Sequence, residues 1–254
     1  MRRFEGKVAA ITGGGAGIGY ATARRLASEG CRVALLDSAA DDLDKALRLL
    51  HADGAEALGI HGDVAARDTC DALVAAALER WDRLDVLVAN AGVRAFGSLL
   101  EASEADWERV LAVNLKGVAH ACVAAAEGMR ACGDRGAMVL VSSANALLGR
   151  DSMPIYDAAK AGVLSLARSL AVELAAEGIR VNSVCPGFTV TDFHVRRAAG
   201  HGRTADDLRA TQTGLFRRPA EPGEIAAAIA FLASGDASYI TATNLMVDAG
   251  GHAT

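Results

Sequence analysis

The 254-residue chain is predicted to fold as a doubly wound parallel α/β sheet of three layers, with helices on both faces of the sheet. Three observations predict it. Short runs of valine, isoleucine and leucine recur along the chain, helical stretches separate them, and a glycine-rich turn joins the first run to the first helix. Near-continuous apolar strands are what a parallel sheet requires when both faces are covered. Strand–helix alternation then gives right-handed crossovers.

The apolar runs are 7–12 (KVAAIT), 32–37 (RVALLD), 85–90 (DVLVAN), 137–143 (AMVLVSS), 180–187 (RVNSVCPG) and 244–248 (NLMVD). Helical stretches lie between them at 17–29, 41–53, 67–82, 103–130, 155–177 and 221–233. SEAD at 103–106 has the pattern of a capping box, and Pro222 stands where a first helical turn accepts proline. From about 188 to 218 the alternation lapses. Over 196–218 Arg196, Arg197, Arg203, Arg209, Arg217 and Arg218 face only Asp206 and Asp207, a local charge of +4, six minus two. So long a connection before the last strand reads as a functional lid.

Composition bounds the rest. With 52% hydrophobic and 22% charged residues the chain reads as one globular domain over 1–254. A net charge of -5 gives no footprint for nucleic acid. The apolar run Val8–Ile11 is too short for a signal-peptide core and no run approaches a membrane span, so a cytoplasmic protein is expected. Cys31, Cys70, Cys122, Cys132 and Cys185 form no C-x-x-C pair, and the six histidines show no metal-ligand spacing; reduced thiols and no metal are expected.

TGGGAGIG, Thr12 to Gly19, follows the first strand and opens the first helix. Gly13, Gly17 and Gly19, with Ile18 between the last two, let the backbone turn tightly and approach a pyrophosphate whose charge rests on the helix N-terminus. Asp37 ends the second run, where a carboxylate accepts from adenosine ribose hydroxyls and repels a 2'-phosphate. Ser38 follows it rather than arginine, so NAD (NADH) is expected over NADP.

Lysine occurs only at Lys7, Lys45, Lys116 and Lys160 among 26 Lys plus Arg, which makes YDAAK, Tyr156 to Lys160, informative. At i and i+4 both side chains share one helix face. A phenol titrates near 10, so acid/base work near neutral pH asks for about 4 kcal/mol of phenolate stabilisation, which a compact ammonium supplies. Ser142 and Ser143 end a strand on the ligand-binding side of such a sheet, and Asn114 is an uneasy asparagine inside an apolar helix.

Together with GDV at 62–64, NAG at 90–92, PGFTVT at 186–191 and VDAGG at 247–251, these residues resemble the short-chain dehydrogenase/reductase family over practically the whole chain. The resemblance implies a Rossmann sheet of seven parallel strands. It implies Tyr156 as general acid/base, Ser143 steadying the reacting oxygen, Lys160 binding the nicotinamide ribose and acidifying the tyrosine, and Asn114 holding a water of the proton relay. Asp63 and Val64 then face the adenine, Asn90, Ala91 and Gly92 support the central strand, and Pro186, Gly187, Thr189 and Thr191 cover the carboxamide. Ala242 and Ala249 depart from the family, which favours glycine at both.

The expected function is hydride transfer between NAD(H) and a secondary alcohol or ketone. Two alternatives stand beside it: an NADPH-dependent ketone or oxoacyl reductase, and a non-catalytic dinucleotide-binding scaffold or sensor. Arg94, Asn145, Leu147, Arg150, Phe188 and His194 are the candidates for lining the substrate pocket, and an anionic substrate is one option beside a plainly solvated basic lid. Family habit and alanine-rich helices suggest a homotetramer.

Overall fold

In β1 (Val8–Thr12) the side chains of Val8 and Ala10 join one apolar cluster and those of Ala9 and Ile11 another, on the opposite face of the sheet. Successive strand residues point to opposite faces, so an unbroken apolar run feeds both layers at once. β2 (Arg32–Asp37), β4 (Val86–Ala89) and β5 (Ala137–Val141) divide in the same way. The first cluster receives Leu73 from α3 (Arg67–Trp81), Met129 from α5 (Gly117–Ala131) and Val163 from α6 (Pro154–Glu173). The second receives Leu26 from α1 (Gly17–Ser28), Leu50 from α2 (Ala40–Ala52) and Ile229 from α9 (Pro222–Ala233). This is the three-layer arrangement that the alternation predicts.

The computed structural model describes residues 2–133 and 135–253. Among them is one sheet of seven strands in the order β3-β2-β1-β4-β5-β6-β7, every pair parallel, completed by β3 (Ala57–His61), β6 (Arg180–Pro186) and β7 (Asn244–Val247). From β1 the chain winds outward to β2 and β3, then returns to β4 on the other side. The strand order therefore reverses between β1 and β4, and ligands bind in the crevice beyond the carboxyl ends of the strands at such a point.

Several elements depart from the sequence reading. β3 is absent from the apolar runs; as an edge strand paired on one side it is only partly buried, and its centre, Gly59, makes room for Leu47, whose Cδ1 would lie 2.7 Å from a Cβ there. The stretch expected as one helix over 103–130 is α4 (Glu104–Leu111), a π turn at Ala112–Lys116, and α5. Ser103 accepts from the Asp106 N–H (3.2 Å), while the Asp106 carboxylate takes the Ser103 hydroxyl (2.7 Å). Glu104–Ala131 is also, by length and composition, apolar enough to cross a membrane, contrary to the sequence reading; an apolar stretch of 18 residues within it is 56% buried inside the fold, as in a core helix.

The lid, read as a segment without strands, contains α7 (Asp192–Ala199) and α8 (Ala205–Arg209). Its +4 charge is largely answered from outside the stretch: Arg196 pairs with Asp42 (2.6 Å), Arg209 with Glu221 (2.9 Å) and Arg218 with Glu224 (2.7 Å). Ala242 and Ala249 sit at φ 61° and 53°, the left-handed region that favours the glycine they replace.

Candidate active site

A cleft of about 940 Å³ opens at the carboxyl ends of the strands. Its first wall is the β1–α1 turn. Gly13 has φ 64°, and a Cβ on Gly19 would fall 1.9 Å from the Gly13 carbonyl oxygen, so the turn closes only with glycine at both positions. Asn90, just past β4, clamps this turn by donating through Nδ2 to the carbonyls of Thr12 (3.1 Å) and Gly13 (3.0 Å). Asp37 at the end of β2 accepts from the Gly15 N–H (2.8 Å) and the Ala39 N–H (3.0 Å) and lines the cleft beside Asp63 and Val64.

The opposite wall carries Ser143, Tyr156 and Lys160. β5 stops at Val141, and the chain turns so that Ser142 donates to the Lys160 carbonyl (2.7 Å), stapling the strand end to α6. Ser143 follows, buried, its Oγ accepting from the Asn145 N–H (3.2 Å). α6 begins at Pro154, whose fixed φ suits a first turn, and brings Tyr156 and Lys160 to the cleft on one face. Lys160 is 2% exposed; its Nζ donates to the Val141 carbonyl (2.7 Å) and lies 5.8 Å from the centre of the Tyr156 ring. Burial pushes the Lys160 ammonium below its ordinary pKa, attraction from Tyr156 opposes this, and repulsion from Arg94 adds to it.

Asn114 does not line the cleft. The π turn buries it completely, and its amide is spent on one residue: Oδ1 accepts from the Val93 N–H and Nδ2 donates to the Val93 carbonyl, both at 2.8 Å. A Cβ on Gly92 would sit 3.3 Å from Asn114 Oδ1 and 3.6 Å from Lys160 Nζ, so the missing side chain leaves both polar atoms facing one small space.

The third wall is Pro186, Gly187, Phe188, Thr189 and Thr191, followed by α7. Arg94 meets His194 here, its Nη1 against Nε2. A guanidinium is a donor only, so Nε2 accepts, and Nδ1 must carry the proton and donate to Thr191 Oγ1 (2.9 Å). Burial, and then the Arg94 charge, push the imidazole down to about 4, which keeps it neutral in this role. Two lid contacts cross the cleft, Arg196 to Asp42 (2.6 Å) and the Asp192 carboxylate to the Gly17 N–H (3.0 Å).

The cleft thus gathers Gly13, Gly17, Ile18, Asp37, Asp63, Val64, Asn90, Ala91, Gly92, Arg94, Ser143, Asn145, Arg150, Tyr156, Lys160, Pro186, Gly187, Phe188, Thr189, Thr191 and His194. Gly19 and Asn114 stand behind it, acting on backbone. Leu147, a sequence candidate for the substrate wall, is 60% exposed and outside it; Leu148 lines the cleft instead, because the turn after Ala144–Ala146 presents the second of the two leucines. Arg150 reaches the Tyr156 ring (5.8 Å to its centre), but its fork is engaged by Asp157 (2.9 and 3.1 Å) and by the Asn145 amide oxygen. Val93, Phe193, Asp192 and the Arg196–Asp42 pair escaped the sequence reading. Phe193, beside His194, was within reach of it, whereas nothing in the sequence links Arg196 to Asp42, 154 residues away.

Residues 13–252 match the family model described as enoyl-(acyl carrier protein) reductase. The chain is 43% identical over 252 residues to cis-4-hydroxycyclohexanecarboxylate dehydrogenase of Sinomonas cyclohexanicum, covering 97% of each chain. The crystal structure of carveol dehydrogenase from Mycobacterium avium in complex with NAD is similar with a TM-score of 0.92 at 30% identity, covering 100% of both chains. That of a short chain dehydrogenase from Mycobacterium paratuberculosis bound to NAD gives 0.89 at 31%, covering 99% of this chain and 100% of that one.

Proposed function

The chain belongs to the short-chain dehydrogenase/reductase family of oxidoreductases, and on that footing we propose that it moves a hydride between NAD(H) and a secondary alcohol or ketone, with Tyr156 as general acid/base. The observation that carries the reading is the convergence of Ser143, Tyr156 and Lys160 on one cleft whose far wall is a glycine-rich strand-to-helix turn. The residues present fit a nicotinamide dinucleotide: the glycine turn leads into the N-terminus of α1, where a pyrophosphate would take the Gly17 N–H from Asp192, and Asp37 stands at the end of β2 where an adenosine ribose is held. Bound there, the dinucleotide supplies the hydride acceptor or donor.

The chain's own groups handle the oxygen and its proton. In oxidation the Tyr156 oxygen takes the carbinol proton and in reduction it returns one to the ketone oxygen, while Ser143 donates a hydrogen bond to that same oxygen. The Lys160 ammonium favours negative charge on the phenolic oxygen, and its anchor on Val141 fixes where that field originates. Lys160 Nζ and the second lone pair of Asn114 Oδ1, beyond the one that takes the Val93 N–H, face the space over Gly92 and would give a relay water polar partners. Asp37 favours NAD over NADP, since its carboxylate repels a 2'-phosphate and the nearby lid cation Arg196 is already paired with Asp42.

A panel of secondary alcohols and ketones, followed by nicotinamide absorbance with NAD(H) and NADP(H), tests activity and cofactor choice together. Tyr156→Phe should lower kcat by about a thousandfold or more while NADH affinity stays within about threefold. Comparable turnover by the variant would refute the assignment. NADPH bound as tightly as NADH would refute the role of Asp37, and tight NADH binding without turnover on any alcohol or ketone would favour a sensor.

A further inference from the structure

The cleft holds a cation most of whose donors the chain leaves unanswered. The Arg94 guanidinium carbon lies 5.4 Å from the centre of the Tyr156 ring and 5.2 Å from that of Phe193, and one of its nitrogens meets His194. A guanidinium has five N–H donors. The His194 nitrogen answers one of them, and among the described residues no carboxylate lies within ion-pair distance of Arg94. Of the other arginines around the cleft, Arg150 is paired with Asp157 and Arg196 with Asp42, while Arg197 lies over the face of Phe96 at 3.7 Å.

Arg94 is also held still. Two aromatic faces and a neutral imidazole position it, and the Arg109 guanidinium donates to its backbone carbonyl (3.3 Å). A half-buried cation with open donors, walled by Val93, Leu148, Phe188 and Phe193, is arranged to receive an anion on an otherwise apolar molecule. Building on the oxidoreductase reading above, we infer that the substrate is a hydroxy or oxo carboxylic acid whose carboxylate docks on Arg94 while its carbinol oxygen meets Ser143 and Tyr156. Because Arg94 stands against the Tyr156 ring, the body between the two ends is compact.

Two measurements separate this inference from the reading it rests on. The first needs no turnover. Cyclohexanecarboxylate and cyclohexanecarboxamide, which lack a carbinol, are titrated calorimetrically into the protein saturated with NADH. The wild type should bind the carboxylate about 30-fold more tightly than the amide, about 2 kcal/mol at 1.4 kcal/mol per decade. Arg94→Gln should erase that preference, and Arg94→Lys should restore part of it. The second compares kcat/KM for 4-hydroxycyclohexanecarboxylate and its carboxamide. Arg94→Gln should collapse the ratio by a similar factor, through KM rather than kcat.

Equal binding of acid and amide by the wild type would overturn the inference. So would a ratio left unchanged because both substrates lose kcat together, since Arg94 would then act through Tyr156. If carboxylate binding depends on Arg94 but neither alcohol is oxidised, the anion seat stands and the redox reading is what fails.

Discussion

Asn114→Ala tests whether the asparagine of the π turn serves first as a structural tie. Asn114 is wholly buried, and both ends of its amide are bonded to the backbone of Val93 at 2.8 Å. Truncation leaves a backbone N–H and a C=O without partners, and each such group costs about 1–3 kcal/mol. Val93 is only half-buried, so water answers part of the loss, and about 2–3 kcal/mol remains. For a chain of this length 1 kcal/mol moves the melting midpoint by about 2–4 °C, which places the expected fall at about 4–12 °C. Calorimetry of both proteins at one fixed concentration reads it, since any association of subunits makes Tm concentration-dependent. A fall below about 2 °C would show that the Val93 loop is held by other contacts. The loop carries Arg94, so the variant should also lose carboxylate affinity in the binding assay above.

Asp192→Asn removes a carboxylate from the Gly17 N–H at the start of α1, where a pyrophosphate has to sit, and should tighten NADH binding by about three- to tenfold; fluorescence titration giving equal or weaker binding would count against the fit of the dinucleotide to this turn. Ala242→Gly and Ala249→Gly relieve backbone held at φ 61° and 53°, and each should stabilise the fold by about 0.5–1 kcal/mol in urea unfolding; a loss of stability would mean that packing of the alanine methyl outweighs the backbone cost.

What was legible in the sequence follows from where each signal resides. Strands buried on both faces announce themselves as apolar runs, which is why β1, β2, β4 and β5 were found almost to the residue. β3 was not, because an edge strand with Gly59 at its centre carries little of that signal. The π turn was invisible for another reason: helical periodicity runs through Ala112–Lys116 without interruption, and only the buried amide of Asn114 hinted at a disturbance. In the site, the residues close in sequence came as a set, from the glycine turn to the tyrosine and lysine one helical turn apart. The lid did not, since its charge looked free until partners on α2 and α9, namely Asp42 and Glu224, were brought to it by the fold.

The choice of lysine at position 160 follows from burial as much as from charge. Three cations surround the Tyr156 ring at nearly equal distance, Arg94 at 5.4 Å and Arg150 and Lys160 at 5.8 Å. The two arginines stand toward solvent, where a broad fork finds several partners: aromatic faces and an imidazole for one, Asp157 and Asn145 for the other. Lys160 is inside, 2% exposed, with the Val141 carbonyl as its single chain acceptor among the described residues. A guanidinium there would bury most of five donors against one acceptor, at a cost no single hydrogen bond offsets. An ammonium has three, and after Val141 its remaining donors can turn toward the cleft and a bound sugar. The inner position therefore selects lysine in a chain that otherwise prefers arginine.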